Sequence, residues 1–258
     1  IYGNCARVCR TKTVTHSFSR RIGLQEDVGP SIAVIVVNFN NYDDTYECLK
    51  SVYKVQYNNY TVILVDNASN DDPSVRFKND FPEAYYIRND RNLGFTGGYN
   101  LGLQKAYELN SKYIFMLNND TVVSENVLSE LAFFMEENMN IGLAAPVNLY
   151  YKTKDVICFG GGIINRNSGL VRFLNKGAKL SDLKNSVIRC SFIEGSALFV
   201  RTDLIKEIGG FNDLYFLTSE ESELCINIAD KGYGIAVITT CTIWHKISQA
   251  MGHETEFA

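Results

Sequence analysis

No stretch of this chain approaches the ~18 consecutive apolar residues of a membrane-spanning helix. Its longest apolar runs, such as Ile32 to Val37, have the length of a strand. The N-terminus lacks the continuous apolar segment of a secretory signal. Internal repeats and low-complexity tracts are also missing. Positive charge is not in excess: 25 Lys and Arg against 29 Asp and Glu give a net charge of −4, which argues against nucleic acid as a partner. The seven cysteines have irregular spacing and read as no disulfide framework. Cys5 and Cys9 are close together but lack a second pair at zinc-site spacing. A reducing compartment is therefore expected, the cytoplasm, with room for peripheral association at the inner face of a membrane. The nucleotide-binding signatures that depend on glycine spacing, the P-loop and G-x-G-x-x-G, do not occur. Asn38-Phe39-Asn40-Asn41 follows the first apolar run where a dinucleotide-binding fold has its glycine-rich turn.

What is present fits one large globular domain: 258 residues, 46% hydrophobic and 21% charged. Residues 1–30 are basic (Arg7, Arg10, Lys12, Arg20, Arg21), have no apolar period and end at Gly29-Pro30, so they read as a tail or linker. Strand and helix signals alternate from Ser31. The unbroken β-branched run 32–37 predicts a strand buried on both faces, 61–65 a second buried strand, 85–87 a short third and 113–117 a fourth. Helices are expected from Asp43 or Asp44 to Tyr53, from Gly97-Gly98 to about Leu109, and after Ser124 as a cap. In that last helix Val127, Leu128, Leu131, Phe134 and Met135 share one face. Residues 150–191 read as irregular or antiparallel. Beyond them, Thr202 caps a short helix stopped by Gly209-Gly210, and another helix runs from about Ser219 to Lys231. Strands are expected at 235–238 and 242–244. The fold class is α/β, with a largely parallel sheet flanked by helices.

In open parallel sheets, ligands bind beyond the carboxyl ends of the strands. Three of the predicted strands end in polar clusters: Asn38-Phe39-Asn40-Asn41, Asp66-Asn67-Ala68-Ser69 and Asn118-Asn119-Asp120-Thr121. Each alone reads equally well as turn and cap chemistry. Together they describe one hydrogen-bonding, partly acidic crevice. The glycine-rich segment from Asn92 to Asn100 leads into a helix, where backbone amides suit phosphate.

These motifs, in this order, resemble glycosyltransferase family 2, a large inverting group with the GT-A fold. The resemblance covers residues 31–249. It rests on Val36 to Asn40, Val65 to Ser69, Asn89 to Asn100 (NDRNLGFTGGYN) and Leu117 to Thr121 at the D-x-D position. It continues through Gly195 to Phe211, Glu220 to Cys225 at the E-D-x-D-L-C position, and Trp244-His245-Lys246. The Leu-Asn-Asn-Asp-Thr form is most similar to the rhamnosyltransferase-like branch. The chain departs from the pattern at Asn118, where the family has its first Asp, and at Glu221, where it has a shorter Asp.

The resemblance implies a donor-binding half over about 31–122 and an acceptor half over about 123–250. It implies a UDP- or dTDP-sugar donor, a glycan or lipid-linked acceptor, and a divalent metal, Mn²⁺ or Mg²⁺. Asn38 and Asn40 would line the base pocket and Asp66 would bind base or ribose. Asn67, Asn92, Gly94, Phe95, Asn100, Asn118 and Asn119 would complete the donor side. Asp120 and His245 would hold metal or diphosphate, and Trp244 would pack. Glu221 would be the general base, with Gly195, Glu220 and Glu223 on the acceptor side. Glu221 also has a structural reading, because Thr218-x-x-Glu221 has capping-box spacing. The alternatives are a catalytically impaired nucleotide-sugar-binding domain and, behind it, a sugar-phosphate nucleotidyltransferase.

Overall fold

The computed structural model describes residues 29–247. Most of the expected basic tail and the Cys5/Cys9 pair lie outside the described residues. In chain order the elements are β1 (Ile32–Asn38), α1 (Tyr42–Val52), β2 (Tyr60–Asp66), α2 (Ser74–Asp80), β3 (Tyr85–Arg88) and α3 (Gly94–Glu108). Then come β4 (Tyr113–Asn118), β5 (Thr121–Val123), α4 (Val127–Glu137), β6 (Ile141–Tyr150), β7 (Ile157–Phe159), β8 (Gly162–Ile164) and β9 (Val171–Phe173). Last are β10 (Val187–Cys190), β11 (Ala197–Arg201), α5 (Thr202–Ile208), α6 (Glu220–Asp230) and β12 (Gly234–His245).

The strands build one sheet in the order β10-β12-β6-β11-β4-β1-β2-β3, with β5 on β12 and β7 on β6; β8 and β9 form a separate hairpin. The half made of β4, β1, β2 and β3 is parallel, as expected. β11 then enters antiparallel between β4 and β6, while β12 runs parallel to β6. The sheet is therefore mixed, and the two short strands expected at 235–238 and 242–244 are one strand with an irregularity between Ile238 and Thr242.

Strand side chains alternate between faces, and β1 divides the core accordingly. Ile32, Val34 and Val36 pack with α1, α2 and α4 residues such as Leu49, Phe77 and Leu131. Ala33 and Ile35 pack on the other face with Tyr99 and Leu103 of α3, Ile205 of α5 and Ile228 of α6. The result is a helix–sheet–helix sandwich with polar strand ends at one edge.

Four expected helix starts are corrected. α1 is capped by Asn41, whose side chain accepts from the Asp44 N–H, and not by Asp43 or Asp44. α3 begins at Gly94, before Gly97-Gly98, because Gly94 takes a positive φ of 70° that starts the turn early. Ser124 does not cap α4; its hydroxyl donates to the Asn126 side chain and accepts from the Thr242 N–H, tying the helix start to β12. Thr202 lies inside α5, with its hydroxyl buried and without a partner. The expected stop is observed: Gly209 closes α5 at φ 94°. Among the described residues, no helix is long and apolar enough to cross a membrane.

Candidate active site

The polar strand ends meet as the sequence implies. At the end of β1, the Asn38 side-chain amide donates to Asp66 Oδ1 at 2.7 Å and to Ser69 Oγ at 3.0 Å. Ser69 Oγ donates to the same Asp66 oxygen at 2.5 Å and accepts from the Asn40 N–H at 2.9 Å. Asn40 sits in the left-handed region at φ 52°, which asparagine tolerates better than most residues. Asp66 is fully buried and is paired with Arg88 from the end of β3; Arg88 also donates to the Ser69 carbonyl at 2.9 Å. The carboxylate expected to touch base or ribose is thus the node on which three strand ends are assembled. Arg88 was not among the expected site residues. Its β3 register opposite Asp66 is set by sheet pairing, which residue spacing does not reveal. A 390 Å³ cavity opens beside this node, bordered by Asn38, Asn40, Ser69, Asp71, Asp72 and Arg76. That is within the usual size of a small-ligand pocket. A larger groove of 1170 Å³ runs along α1 and reaches Trp244, but Asp120, Glu221 and His245 do not line it.

The glycine-rich segment is held from beneath. Asn67 accepts from the Asn89 side chain at 2.7 Å and the Leu93 N–H at 3.1 Å, and donates to Asn92 Oδ1 at 2.8 Å and the Gly94 carbonyl at 2.9 Å. Asn100, further along α3, binds the Phe211 N–H and carbonyl, both at 2.9 Å, and donates to Asp213 at 2.8 Å. Phe95 stacks at a tilt on Tyr99, 4.4 Å between centroids, and its N–H donates to the Phe216 carbonyl at 2.8 Å. A Cβ added at Gly195 would lie 3.3 Å from the Phe95 ring. These motif residues join the donor-side helix α3 to the 211–216 loop that leads into α6.

At the end of β4, the Asn119 side chain donates to Thr45 Oγ1 at 2.8 Å, and Thr45 donates to Asn38 at 2.8 Å, so the first and third clusters are connected. Asn118 Oδ1 faces the Tyr99 hydroxyl at 3.4 Å. Asp120 is buried, and its Oδ1 lies 3.1 Å from His245 Nε2. The pair is brought together by β5 and β12, where His245 is registered with Thr121. Burial opposes charge on His245, but the Asp120 carboxylate, with Cys158 and Glu194 nearby, outweighs it and lifts the imidazole to about 10. The Nδ1 side of the ring faces Asn148 Nδ2 at 3.4 Å. Asn148 also donates to Glu194 and, at 3.1 Å, to Ser196. Asn148, Glu194 and Ser196 were not expected here; they lie on β6 and just before β11, far from His245 in sequence. Trp244 is half-buried and donates from Nε1 to the Lys154 carbonyl at 3.0 Å, a packing role as expected.

The helix α6 starts at Glu220 after Ser219, which sits at φ 74° and makes no side-chain cap bond. The capping-box reading of Thr218 and Glu221 is therefore not realised. Burial pushes Glu221 up to about 7, and the Glu220 and Glu194 carboxylates add to the rise. Burial also raises Glu220, whose Oε2 is enclosed with no hydrogen-bond partner. Glu223 instead accepts from the Asn212 side chain at 3.1 Å and steadies the loop. A carboxyl lifted to about 7 by burial is suited to accept a proton from a hydroxyl near neutral pH.

The family described as glycosyl transferase family 2 matches residues 33–157, and the one described as glycosyl transferase family group 2 matches residues 113–255. The chain belongs to the family 2 group of glycosyl transferases. The hexosyltransferase Agl10 of low-salt glycan biosynthesis in Haloferax volcanii is 23% identical over 205 residues, covering 78% of this chain and 62% of that protein. An uncharacterized glycosyltransferase of Rickettsia bellii is 31% identical over 110 residues, 42% of this chain but 15% of that one. The chain thus spans less than two thirds of these relatives. Among solved structures, GalNAc-T7 with UDP, GalNAc and Mn²⁺ superposes with a TM-score of 0.70 at 18% identity, over 84% of this chain and 43% of that one. The mannosyltransferase PcManGT of Pyrobaculum calidifontis, with GDP-Man and Mn²⁺, gives 0.62 at 16% identity, over 87% and 61%. The fold of this chain is GT-A.

Proposed function

We propose that this glycosyltransferase moves a hexosyl unit, with inversion, from a nucleoside diphosphate donor to a hydroxyl of a glycan or lipid-linked acceptor. The observation that carries the reading is Glu221. It sits at the first turn of α6, and burial lifts its carboxyl to about 7. It would take the acceptor hydroxyl proton as that oxygen attacks the anomeric carbon and the bond to the diphosphate breaks. One base suffices, because the leaving group departs as a diphosphate and not as an alkoxide.

Asn38, Asn40 and the Asp66 node would form the floor for base and ribose, with UDP- and dTDP-sugars as the proposed donors. The Leu-Asn-Asn-Asp-Thr segment favours a rhamnosyltransferase-like specificity. Asp120 and His245 place one oxygen and one nitrogen 3.1 Å apart, a spacing that would suit two neighbouring ligands of one Mn²⁺ or Mg²⁺ once the imidazolium gives up its Nε2 proton. Such an ion supplies positive charge to the departing diphosphate. The Haloferax relative, named for hexosyl transfer in glycan biosynthesis, supports a role in glycan assembly. We place this activity in the cytoplasm, with the acceptor presented at the inner face of a membrane.

The test combines donor binding and turnover. The purified chain is titrated with UDP-, dTDP- and GDP-sugars in Mn²⁺, Mg²⁺ or EDTA, and release of nucleoside diphosphate is followed. Metal-dependent binding with release that Glu221→Gln abolishes is the expected result. Binding with no release from the native chain and any acceptor would instead favour a binding domain, and no binding to any donor would overturn both.

A further inference from the structure

We propose that Cys158, Glu194 and His245 form a second metal site, suited to a thiophilic ion of the zinc class, which shares His245 with Asp120. β7 supplies Cys158, the turn before β11 supplies Glu194, and the end of β12 supplies His245. Their ligand atoms all lie within 4.8 Å of one another. A tetrahedral ion with sulfur at ~2.3 Å and nitrogen and oxygen at ~2.0 Å requires ligand separations of roughly 3.3–3.6 Å. The side chains therefore close by about an ångström, within the range of small torsional changes. One sulfur, one nitrogen and one oxygen suit Zn²⁺ or Co²⁺ and not Mg²⁺, which favours oxygen.

A second observation points to the same spot. Asn148 is almost fully buried; its Nδ2 donates to Glu194 Oε1 and, at 3.1 Å, to Ser196 Oγ, and lies 3.4 Å from His245 Nδ1. Ser196 Oγ in turn donates to Glu194 Oε1 at 3.0 Å. The Asn148 Oδ1 is enclosed beside these groups without a partner, and a cation there would supply the positive charge this buried oxygen lacks.

Binding would displace the Cys158 thiol proton and the Nδ1 proton of the imidazolium to solvent and leave the imidazole neutral, with the ion on Nδ1 and the single proton on Nε2. Nε2 would then donate to Asp120 and could not ligate an ion there. Zinc at the new site would withdraw His245 from the Asp120 side and weaken Mn²⁺ binding. This coupling, unlike the site itself, rests on the role proposed for His245.

Co²⁺ is the probe, added to the full chain after removal of adventitious metal. The expected result is a saturable thiolate-to-cobalt band in the near ultraviolet. It should be displaced by Zn²⁺, lost in Cys158→Ser, at least tenfold weaker in Glu194→Gln, and retained in Cys190→Ser. Absence of the band, or its survival in Cys158→Ser, overturns the site; circular dichroism of each variant shows that it is folded. Mn²⁺ binding is read separately by electron paramagnetic resonance of the free ion. Zn²⁺ should raise the apparent Mn²⁺ dissociation constant at least tenfold in the native chain and leave it unchanged in Cys158→Ser. A cobalt band with no effect of Zn²⁺ on Mn²⁺ would overturn the sharing of His245. Lack of sugar transfer would count against the proposed function and leave the spectrum as it is.

Discussion

Lys246 Nζ lies 2.6 Å from the Asp44 carboxylate and also pairs with Glu47, so the residue after His245 is fastened to the first turns of α1. The Lys246 N–H donates to the Asp120 carbonyl at 2.9 Å, and Tyr151 covers the ammonium while its hydroxyl donates to Glu47 at 2.7 Å. The Asp–His pair is thus held by its neighbour's main chain and side chain together. Lys246→Met keeps the apolar stem and removes the charge. We expect a loss of about 1–2 kcal/mol, between an exposed and a buried ion pair. Denaturant unfolding measures it, and a matching fall in Mn²⁺ affinity distinguishes a positioning role from stability alone.

Glu221 links chemistry to stability. The carboxyl is raised from 4.5 to about 7 in the folded state. Transfer should therefore rise with pH and level off above about 7, and this limb should vanish in Glu221→Gln along with a ~10²–10⁴-fold fall in turnover. The stability effect has the opposite sense. Between the unfolded and folded values the native state holds a proton that the unfolded chain releases, so stability falls as pH rises from about 4.5 to 7. Glu221→Gln should match the native chain near pH 4 and exceed it by up to about 3 kcal/mol at pH 8. Equal unfolding curves at pH 8 would contradict this account.

Arg88→Met leaves the buried Asp66 carboxylate without its guanidinium. Stranding a buried charge costs on the order of 2–4 kcal/mol. Adding Asp66→Asn should recover most of that loss, because the amide needs no counter-charge. A double variant no more stable than the single one would show that Arg88 acts through something other than Asp66.

Gly94→Ala tests the junction between α3 and the loop before α6. Gly94 is at φ 70°, and an added Cβ would run into the Phe216 carbonyl. We expect a loss of about 1–3 kcal/mol and faster proteolysis within 211–219, since the Phe95 N–H to Phe216 bond must break to make room.

The sequence was most legible where local physics decides structure. β1, β2 and β4 are apolar runs covered on both faces, and they ended within one residue of expectation at Asn38, Asp66 and Asn118. Capping signals failed where a tertiary contact took the side chain, as Ser124 reaches Thr242 on β12, or where the helix began one residue later, as the cap position of α6 falls on Ser219 and not Thr218. The Asp120–His245 pair was foreseen through the family resemblance, and sheet register brings it together. Arg88, Asn148, Glu194 and Lys246 meet partners 22, 46 and up to 202 positions away, and no period or motif in one chain encodes such distances.

β11 is the seam between the two parts of the sheet, bonded to β4 on one side and β6 on the other. During synthesis, the parallel strands emerge with β4 as a bare edge, and that edge stays open until residue 201 has left the ribosome. An uncovered, fully apolar edge strand is a template for pairing with another chain. Expression of this protein should therefore be sensitive to translation rate and chaperone supply in a way that its finished stability does not predict.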